Sequence, residues 1–526
     1  MNLQAFFSTF QRDLLAGTVV FLVALPLCLG IANASGVEPF AGLVSGIVGG
    51  LVVAVLSGSR LSVSGPAAGL VVIVVDGIAQ LGSFSAFLLA VLLSGAIQFG
   101  FGMLKAGRFA AYVPSPVIKG MLAAIGVLLI VKQFPLALGW VGAHASSRAQ
   151  AAAQAGGSVA TGFGSISLTA GLITLLSLAI LVGWETRALR RFALVRLVPA
   201  PLAVVLLGIG ATLLLSLLAP SLTPPAEHRV ALPSLESFAA LRLALEWADF
   251  GPHFAQLVNP DVWRVAITLA IVASLETLLS LEAIEQIDPE RRAAPPDREL
   301  KAQGVGNLIA GAIGGLPITS VIVRSSANVH AGAQSRLSAI IHGVLLLVSV
   351  FALTSVINLI PLACLAAILI FTGLKLAKPS LFVAIARQGF APFAPFIVTL
   401  LGVLATDLLI GIVLGILCSV LLALYANLRS PIVLAQHGDH YLLSFRKDVS
   451  FLGKVPLKHY LRQIPDGATV IVDATRADFV DHDVRELLDA FVVDAPRRGI
   501  AVDVRHQVQA QARAARGWSM RRTAAQ

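Results

Sequence analysis

The chain reads as an all-α polytopic membrane protein, two inverted halves of seven spans each, followed by a small cytoplasmic α/β domain. Three observations predict this. Of the 526 residues, 57% are hydrophobic and 13% charged, about half the ~25% charge load of a soluble domain, and mean hydropathy is +0.87. Apolar stretches such as 14–29, 202–218 and 397–404 follow one another along the chain. Each makes or joins a run of roughly 20 residues, the length that crosses a bilayer, and no soluble core is large enough to bury them all. Finally, the glycine and proline breaks recur at one offset. Pro66 and Pro317 are 251 positions apart (317 − 66), and so are Asp13 and Arg264 (264 − 13), which open spans one and eight. An odd number of spans per half forces the halves into opposite orientations, the mark of an inverted-repeat transporter.

In the first half, hydropathy, charges and turn residues place spans near 12–33, 40–57, 66–80, 84–104, 112–132, 164–184 and 197–218. In the second half they fall near 262–285, 302–315, 319–334, 337–358, 361–375, 391–406 and 408–428. The transporter domain is thus 1–430, with repeats at about 12–218 and 262–428. Beyond it, 434–508 is soluble in composition. Short apolar runs at 441–445, 470–472 and 500–504 alternate with helix-like stretches at 454–464 and 483–492, which predicts a small α/β domain. The tail 509–526 is basic and alanine-rich, carries no chemistry, and reads as disordered or lying along the membrane surface.

The net charge of +10 lies in the short connections and is no sign of nucleic-acid binding. With the N-terminus inside, the cytoplasmic links receive Lys105 and Arg108; Arg187, Arg190, Arg191 and Arg196; Arg291, Arg292, Arg298 and Lys301; then Lys375, Lys378 and Arg387. The loop 219–261, with Glu227, Glu236, Glu246 and Asp249, falls outside. This alternation follows the positive-inside rule and predicts an inner-membrane protein with both termini cytoplasmic. The first span resembles a signal peptide ending at Ala32-Asn33-Ala34, but its length and the spans that follow predict that it is retained. Cys28, Cys364 and Cys418 lie in apolar runs and read as small core residues.

Non-helical backbone at membrane depth is tolerated only where it lines a cavity or is buried in protein. The breaks at 64–69 and 314–320 therefore mark the candidate site. Two half-helices starting there present free N–H groups and positive dipole ends, an anion site built of backbone. Ser64, Gly65, Ala67, Ala68, Thr319, Ser320 and Val321 supply hydroxyls and close approach; the alternative is a pair of proline kinks between packed helices. Arg324, one and a half turns into a span starting at Thr319, adds a cation that favours an anion, unless it snorkels or bridges to the other domain. Glu276, with Ser280 at i+4 on the same face, can bind Na⁺ or carry H⁺ and so couple transport; its structural alternative is pairing with Arg324 or a helix end. The sequence has no phosphate loop, no H-E-x-x-H and no G-x-S-x-G, so neither ATP-driven transport nor a hydrolase is predicted, and no cofactor.

Arg12-Asp13-Leu14-Leu15-Ala16-Gly17, Ala24-Leu25-Pro26, Ser64-Gly65-Pro66-Ala67-Ala68 and Gly315-Leu316-Pro317 through Arg336-Leu337 resemble the SulP family of inorganic anion transporters over about 10–430. The resemblance implies core and gate domains, an anion site between spans three and ten lined by Pro26 and Leu27 of span one and by span eight, an elevator-like shift, and a homodimer. Leu27, in Ala-Leu-Pro-Leu, resembles the bicarbonate-transporting members, and Glu276 with Ser280 resembles their Na⁺-binding pair. The C-terminal segment resembles a short STAS domain, with Asp481-His482-Asp483-Val484 where the family's loop often reads Asp-Ser-Ser-Gly. The expectation is secondary active transport of bicarbonate or sulfate with Na⁺ or H⁺; the alternative is an uncoupled channel or exchanger.

Overall fold

The structure, a computed structural model, describes residues 3–108, 113–139, 167–186, 191, 198–233, 254–428, 432–450, 453–477 and 479–505. The tail from 509, much of the loop 219–261, and Arg187, Arg190 and Arg196 lie outside the described residues.

All fourteen predicted segments are helical along most of their length. In the first half they are α1 (Leu3–Ala34), α2 (Pro39–Leu56), α3 (Ala68–Leu81), α4 (Phe84–Met103), α5 (Ser115–Ala137), α6 (Leu168–Glu185) and α7 (Ala200–Leu218). In the second they are α8 (Pro260–Ile287), α9 (Pro296–Ala312), α10 (Ile322–His330), α11 (Leu337–Ala352), α12 (Leu362–Leu376), α13 (Phe390–Ala405) and α14 (Leu408–Leu428). Nine helices among the described residues are long and apolar enough to cross a membrane. The other five, α3, α9, α10, α11 and α13, are each too short or too polar to span. Of these α3 is paired in the sequence repeat with α10, which is shorter still.

Proline and glycine shape this frame. Pro39, Pro116, Pro201, Pro260 and Pro296 sit in first turns, where the missing N–H costs no hydrogen bond. Glycines let backbones touch. A Cβ on Gly304 would lie 2.6 Å from Phe99 N and 2.8 Å from Gly95 O, so α9 and α4 pack with almost nothing between them. Most close helix packing falls within two sets. In one, α4 lies on α8 and α9, α3 and α10 on α8, and α1 on α2 and α11; in the other, α5 lies on α12 and α13, and α6 on α7 and α12. Helix α1 of the first set also touches α7 and α12 of the second. Leucines of α6 and α7 such as Leu172, Leu175, Leu213 and Leu217 face outward, as a lipid-facing surface requires.

A turn following α8 is fixed by charge. Asp288 accepts hydrogen bonds from Arg292 Nε at 2.8 Å and Nη2 at 3.0 Å, and Arg292 Nη1 donates to Gln334 O at 3.1 Å. The Arg292 hydrogen bond holds the Asp288 carboxyl below its ordinary range. A depressed carboxylate stabilises fully above its unfolded pKa of about 3.9 and loses that contribution as pH falls through the folded value. In thermal melts, the stability gap between wild type and Asp288→Asn should therefore be constant from pH 7 to about 5 and close below about pH 4.

A second compact unit begins within α14, at Leu417. Its sheet comprises β3 (Ile432–His437), β4 (His440–Phe445), β5 (Thr469–Asp473) and β6 (Ala501–Arg505) in that order; β3–β4 is antiparallel and the other pairs are parallel. Helices α15 (Lys454–Gln463) and α16 (His482–Asp494) complete it. The three predicted strands and two helices are present. Strand β3 is additional, turned back by Gly438 at φ +59° in a two-residue hairpin loop. Asp481 caps α16, its carboxylate accepting from Asp483 N at 3.0 Å.

Candidate functional site

The two breaks meet as a sheet. Strand β1 (Ser64–Pro66) pairs antiparallel with β2 (Ile318–Ser320), setting Ser64 opposite Ser320, Gly65 opposite Thr319 and Pro66 opposite Ile318. Three residues of extended chain on each side thus precede the helix starts, which the sequence placed at 66 and 319. Buried side chains complete this two-stranded bridge. Asn307 Oδ1 accepts from Ile318 N at 2.6 Å while its Nδ2 donates to Ile318 O at 3.0 Å and to Gln98 Oε1 at 2.6 Å. Gln303 Nε2 donates to Ser64 Oγ at 2.7 Å, and the Ser62 and Ser320 hydroxyls lie 2.6 Å apart. Ser320 N donates to Thr277 Oγ1 at 3.3 Å, and Val321 N to Val63 O at 3.0 Å. Asn307→Ala would strip two backbone groups of partners where no water reaches, at about 1–3 kcal/mol each. The variant should melt several degrees below wild type in detergent, and an unchanged melting temperature would remove the bridge's dependence on this amide.

Beyond the bridge the helices begin without side-chain caps: α3 at Ala68 after Ala67, and α10 at Ile322 after Val321. Both starts open on a cavity of about 320 Å³. Its walls are Ala68 and Gly69; Val321, Ile322 and Val323; Glu276, Ser280 and Glu282 of α8; Ser115, Ile118 and Lys119 of α5; and Thr372 and Leu376 of α12. Of the residues singled out from sequence, Ala68, Val321, Glu276 and Ser280 line it. Ser64, Gly65, Ala67, Thr319 and Ser320 lie buried in or beside the bridge, and Pro26 and Leu27 are buried in α1.

Arg324 is the third residue of α10, nearer the helix start than a helix beginning at Thr319 would place it, because Ile318–Ser320 is strand. It is wholly buried. Its Nη2 donates to Pro66 O at 3.2 Å, tying α10 to the opposite strand, and its Nε and Nη1 have no hydrogen-bond partner. It packs directly over Gly65, where a Cβ would lie 2.1 Å from Nη1 and would have to displace the guanidinium. The guanidinium does not line the cavity.

Glu276 faces the cavity directly. Its carboxylate lies over Gly69, where a Cβ would be 2.9 Å from Oε1 and 3.0 Å from Oε2, and Oε2 has no hydrogen-bond partner. Among the described residues no ion pair joins it to Arg324; it sits against the start of α3 instead. One cavity therefore holds two uncapped helix starts, a carboxylate beside one of them, and a hydroxyl from Ser280.

Comparison with known proteins decides the family. The sulfate permease family profile matches residues 10–400. The chain belongs to this family. It is a multi-pass membrane transporter of inorganic anions of the sulfate and bicarbonate kind, and not an enzyme. The putative sulfate transporter YvdB of Bacillus subtilis is 28% identical over 78% of this chain and 72% of its own length. The bicarbonate transporter BicA of Picosynechococcus is 26% identical over 70% of this chain and 62% of its own. Among solved structures, the transmembrane domain of a cyanobacterial bicarbonate transporter BicA superposes with a TM-score of 0.62 at 22% identity, over 79% of this chain and 98% of that one. The structure of SLC26A9 gives a TM-score of 0.68 at 16% identity, over 94% and 84%. At these identities the two superpositions speak for the fold.

In this sulfate permease family member several site residues escape a hydropathy reading. Lys119 and Glu282 line the cavity, the former in the middle of an apolar run and the latter near the end of α8. Gln98, Gln303, Asn307 and Thr277 hold the bridge. Their signal is a polar side chain at membrane depth, which by itself asks for a partner. A neutral amide raises that signal more weakly than Arg324 or Glu276 does.

Proposed function

We propose that this chain is a secondary active transporter of bicarbonate or sulfate in which the anion lies between the starts of α3 and α10 and a cation binds at Glu276. The observation that carries the reading is the Glu276 carboxylate, unpaired and lying against the start of α3, in the same cavity as the start of α10. An ionised Glu276 occupies the positive end of α3 that the anion needs. Na⁺ held by Glu276 and Ser280, or a proton on Glu276, cancels that charge and releases the helix start. Anion and cation then favour each other's binding by the same factor, as linkage demands. Arg324 biases the pocket toward anions from behind the bridge. Alternating exposure follows from the group that includes α3, α8 and α10 shifting as a body, elevator-like, past the group that includes α5 and α12.

Proteoliposomes given labelled bicarbonate or sulfate on the outside, under an inward Na⁺ or H⁺ gradient, test this. Accumulation of one anion above its own equilibrium, driven by one of the two gradients, is the expected result. Rapid equilibration with no accumulation under either gradient would instead establish an uncoupled channel or exchanger.

A further inference from the structure

A second basic pocket lies apart from the cavity and shares no residue with it. Arg60 stands in the turn between α2 and β1, Arg298 in the first turn of α9, and Arg336 immediately before α11. A recess of about 330 Å³ is lined by Arg60, Ser335, Arg336 and Leu337. It opens at the start of α11, a sixteen-residue helix whose first N–H, that of Leu337, donates to Ser335 Oγ at 3.2 Å, leaving the N–H groups of the next residues toward the recess.

Two of the arginines are fixed by backbone. Arg336 Nε donates to Ser59 O at 3.1 Å, and Arg298 Nε to Leu56 O at 3.0 Å. Arg60 makes no hydrogen bond or ion pair among the described residues. Burial first, then the charges of Arg298 and Arg60, hold Arg336 below its ordinary range, with Glu299 acting the other way. That carboxylate is already engaged, accepting from Ser57 Oγ at 2.5 Å, Gly58 N at 3.1 Å and Gln303 Nε2 at 3.1 Å. A second carboxylate, Asp13, is engaged at the edge of the recess, accepting from Ser335 Oγ, from Ser335 N at 3.1 Å and from Gln334 N at 2.7 Å. Three guanidinium charges thus face two occupied carboxylates, beside a helix N-terminus. Phosphate oxygens satisfy both features at once.

The surroundings select the form of that phosphate. The helices meeting at the pocket carry exposed apolar side chains: Val55 and Leu56 at the end of α2, Val344 and Val348 on α11. A headgroup site above an apolar strip fits a lipid better than a free ion. We propose that this pocket seats the phosphate of an anionic phospholipid, its acyl chain lying along Val55, Leu56 and the exposed face of α11. The bound phosphate would brace the turn 57–63, whose far end supplies Ser62 and Val63 to the bridge.

Arg60→Gln is the clean probe, since that side chain supports nothing else. Native mass spectrometry of the full chain with phosphatidylglycerol or phosphatidylcholine reads binding directly. Wild type should prefer phosphatidylglycerol, and the preference should fall about fivefold in Arg60→Gln and further with Arg298→Gln added. Uptake by Arg60→Gln in pure phosphatidylcholine vesicles should match wild type, while its stimulation by phosphatidylglycerol is lost. Equal phosphatidylglycerol binding by wild type and the double variant would overturn the site. Displacement of the lipid by millimolar inorganic phosphate would overturn the lipid as its occupant.

Discussion

Glu276→Gln should transport its anion without regard to the cation gradient. Glutamine keeps the shape of the protonated acid and carries no charge, so the start of α3 is permanently released. Like charges about 5 Å apart repel by roughly 3 kcal/mol at an effective dielectric constant of 20. Neutralising the carboxylate is therefore worth up to roughly 200-fold in anion affinity. Wild type should bind the anion weakly at low cation and tighten as cation is added. The variant should bind at the tight level throughout and gain nothing from the cation. A tenfold gradient of one coupled cation supports about tenfold accumulation of anion, since both equal roughly 1.4 kcal/mol. The variant should equilibrate its anion and stop there. Accumulation by Glu276→Gln that still tracks the gradient would place coupling on another group.

Arg324→Ala should lose uptake almost entirely while remaining folded. The side chain makes one charge-assisted hydrogen bond across the bridge, to Pro66 O at 3.2 Å, and provides the positive field behind the two helix starts. A hydrogen bond from a charged group is worth about 1.5–3 kcal/mol, a loss of stability that should lower the melting temperature of the variant while leaving it folded. Arg324→Lys separates the two contributions. Lysine keeps the charge but lacks the planar fork, so it should retain part of the anion affinity and little of the stability gained by tying α10 to β1. Equilibrium binding of labelled anion, measured beside thermal melts, reads the two independently. Wild-type affinity in Arg324→Ala would remove this side chain from the anion's field.

Much of this was legible in the chain. Hydropathy and charge located fourteen segments that are helical, nine of them long and apolar enough to cross a membrane among the described residues, and the repeated glycine and proline breaks indicated which two of the fourteen meet. What lay between the breaks was not legible. A strand of three residues is shorter than any periodicity can register, and its partner is more than 250 positions away (320 − 64). Because β2 takes up Ile318–Ser320, α10 starts later than predicted and Arg324 turns toward Pro66, not the cavity. The cavity itself uses backbone of Ala68 and Gly69 and of Val321 to Val323, residues whose side chains announce nothing. Glu276 was conspicuous because a carboxylate in an apolar helix must have a use. Asn307 was not, although it bonds both polar groups of Ile318, since an amide blends into a helix that begins with charged residues. In the second unit, β3 was missed because Gly438-Asp439 makes too short a loop to separate two apolar runs.

The paired strands also fix the two breaks of the chain's repeat to one another. Helix starts from independent segments would drift apart and together with every thermal fluctuation, and a pore of that kind would have no fixed calibre. Here the two are stitched through Ser64–Pro66 and Ile318–Ser320, with an amide and two hydroxyls as cross-braces. The spacing of residues 68 and 322 is thereby set like the jaw of a gauge, and under the proposed mechanism travel of the surrounding helices would change which side sees it without changing its width.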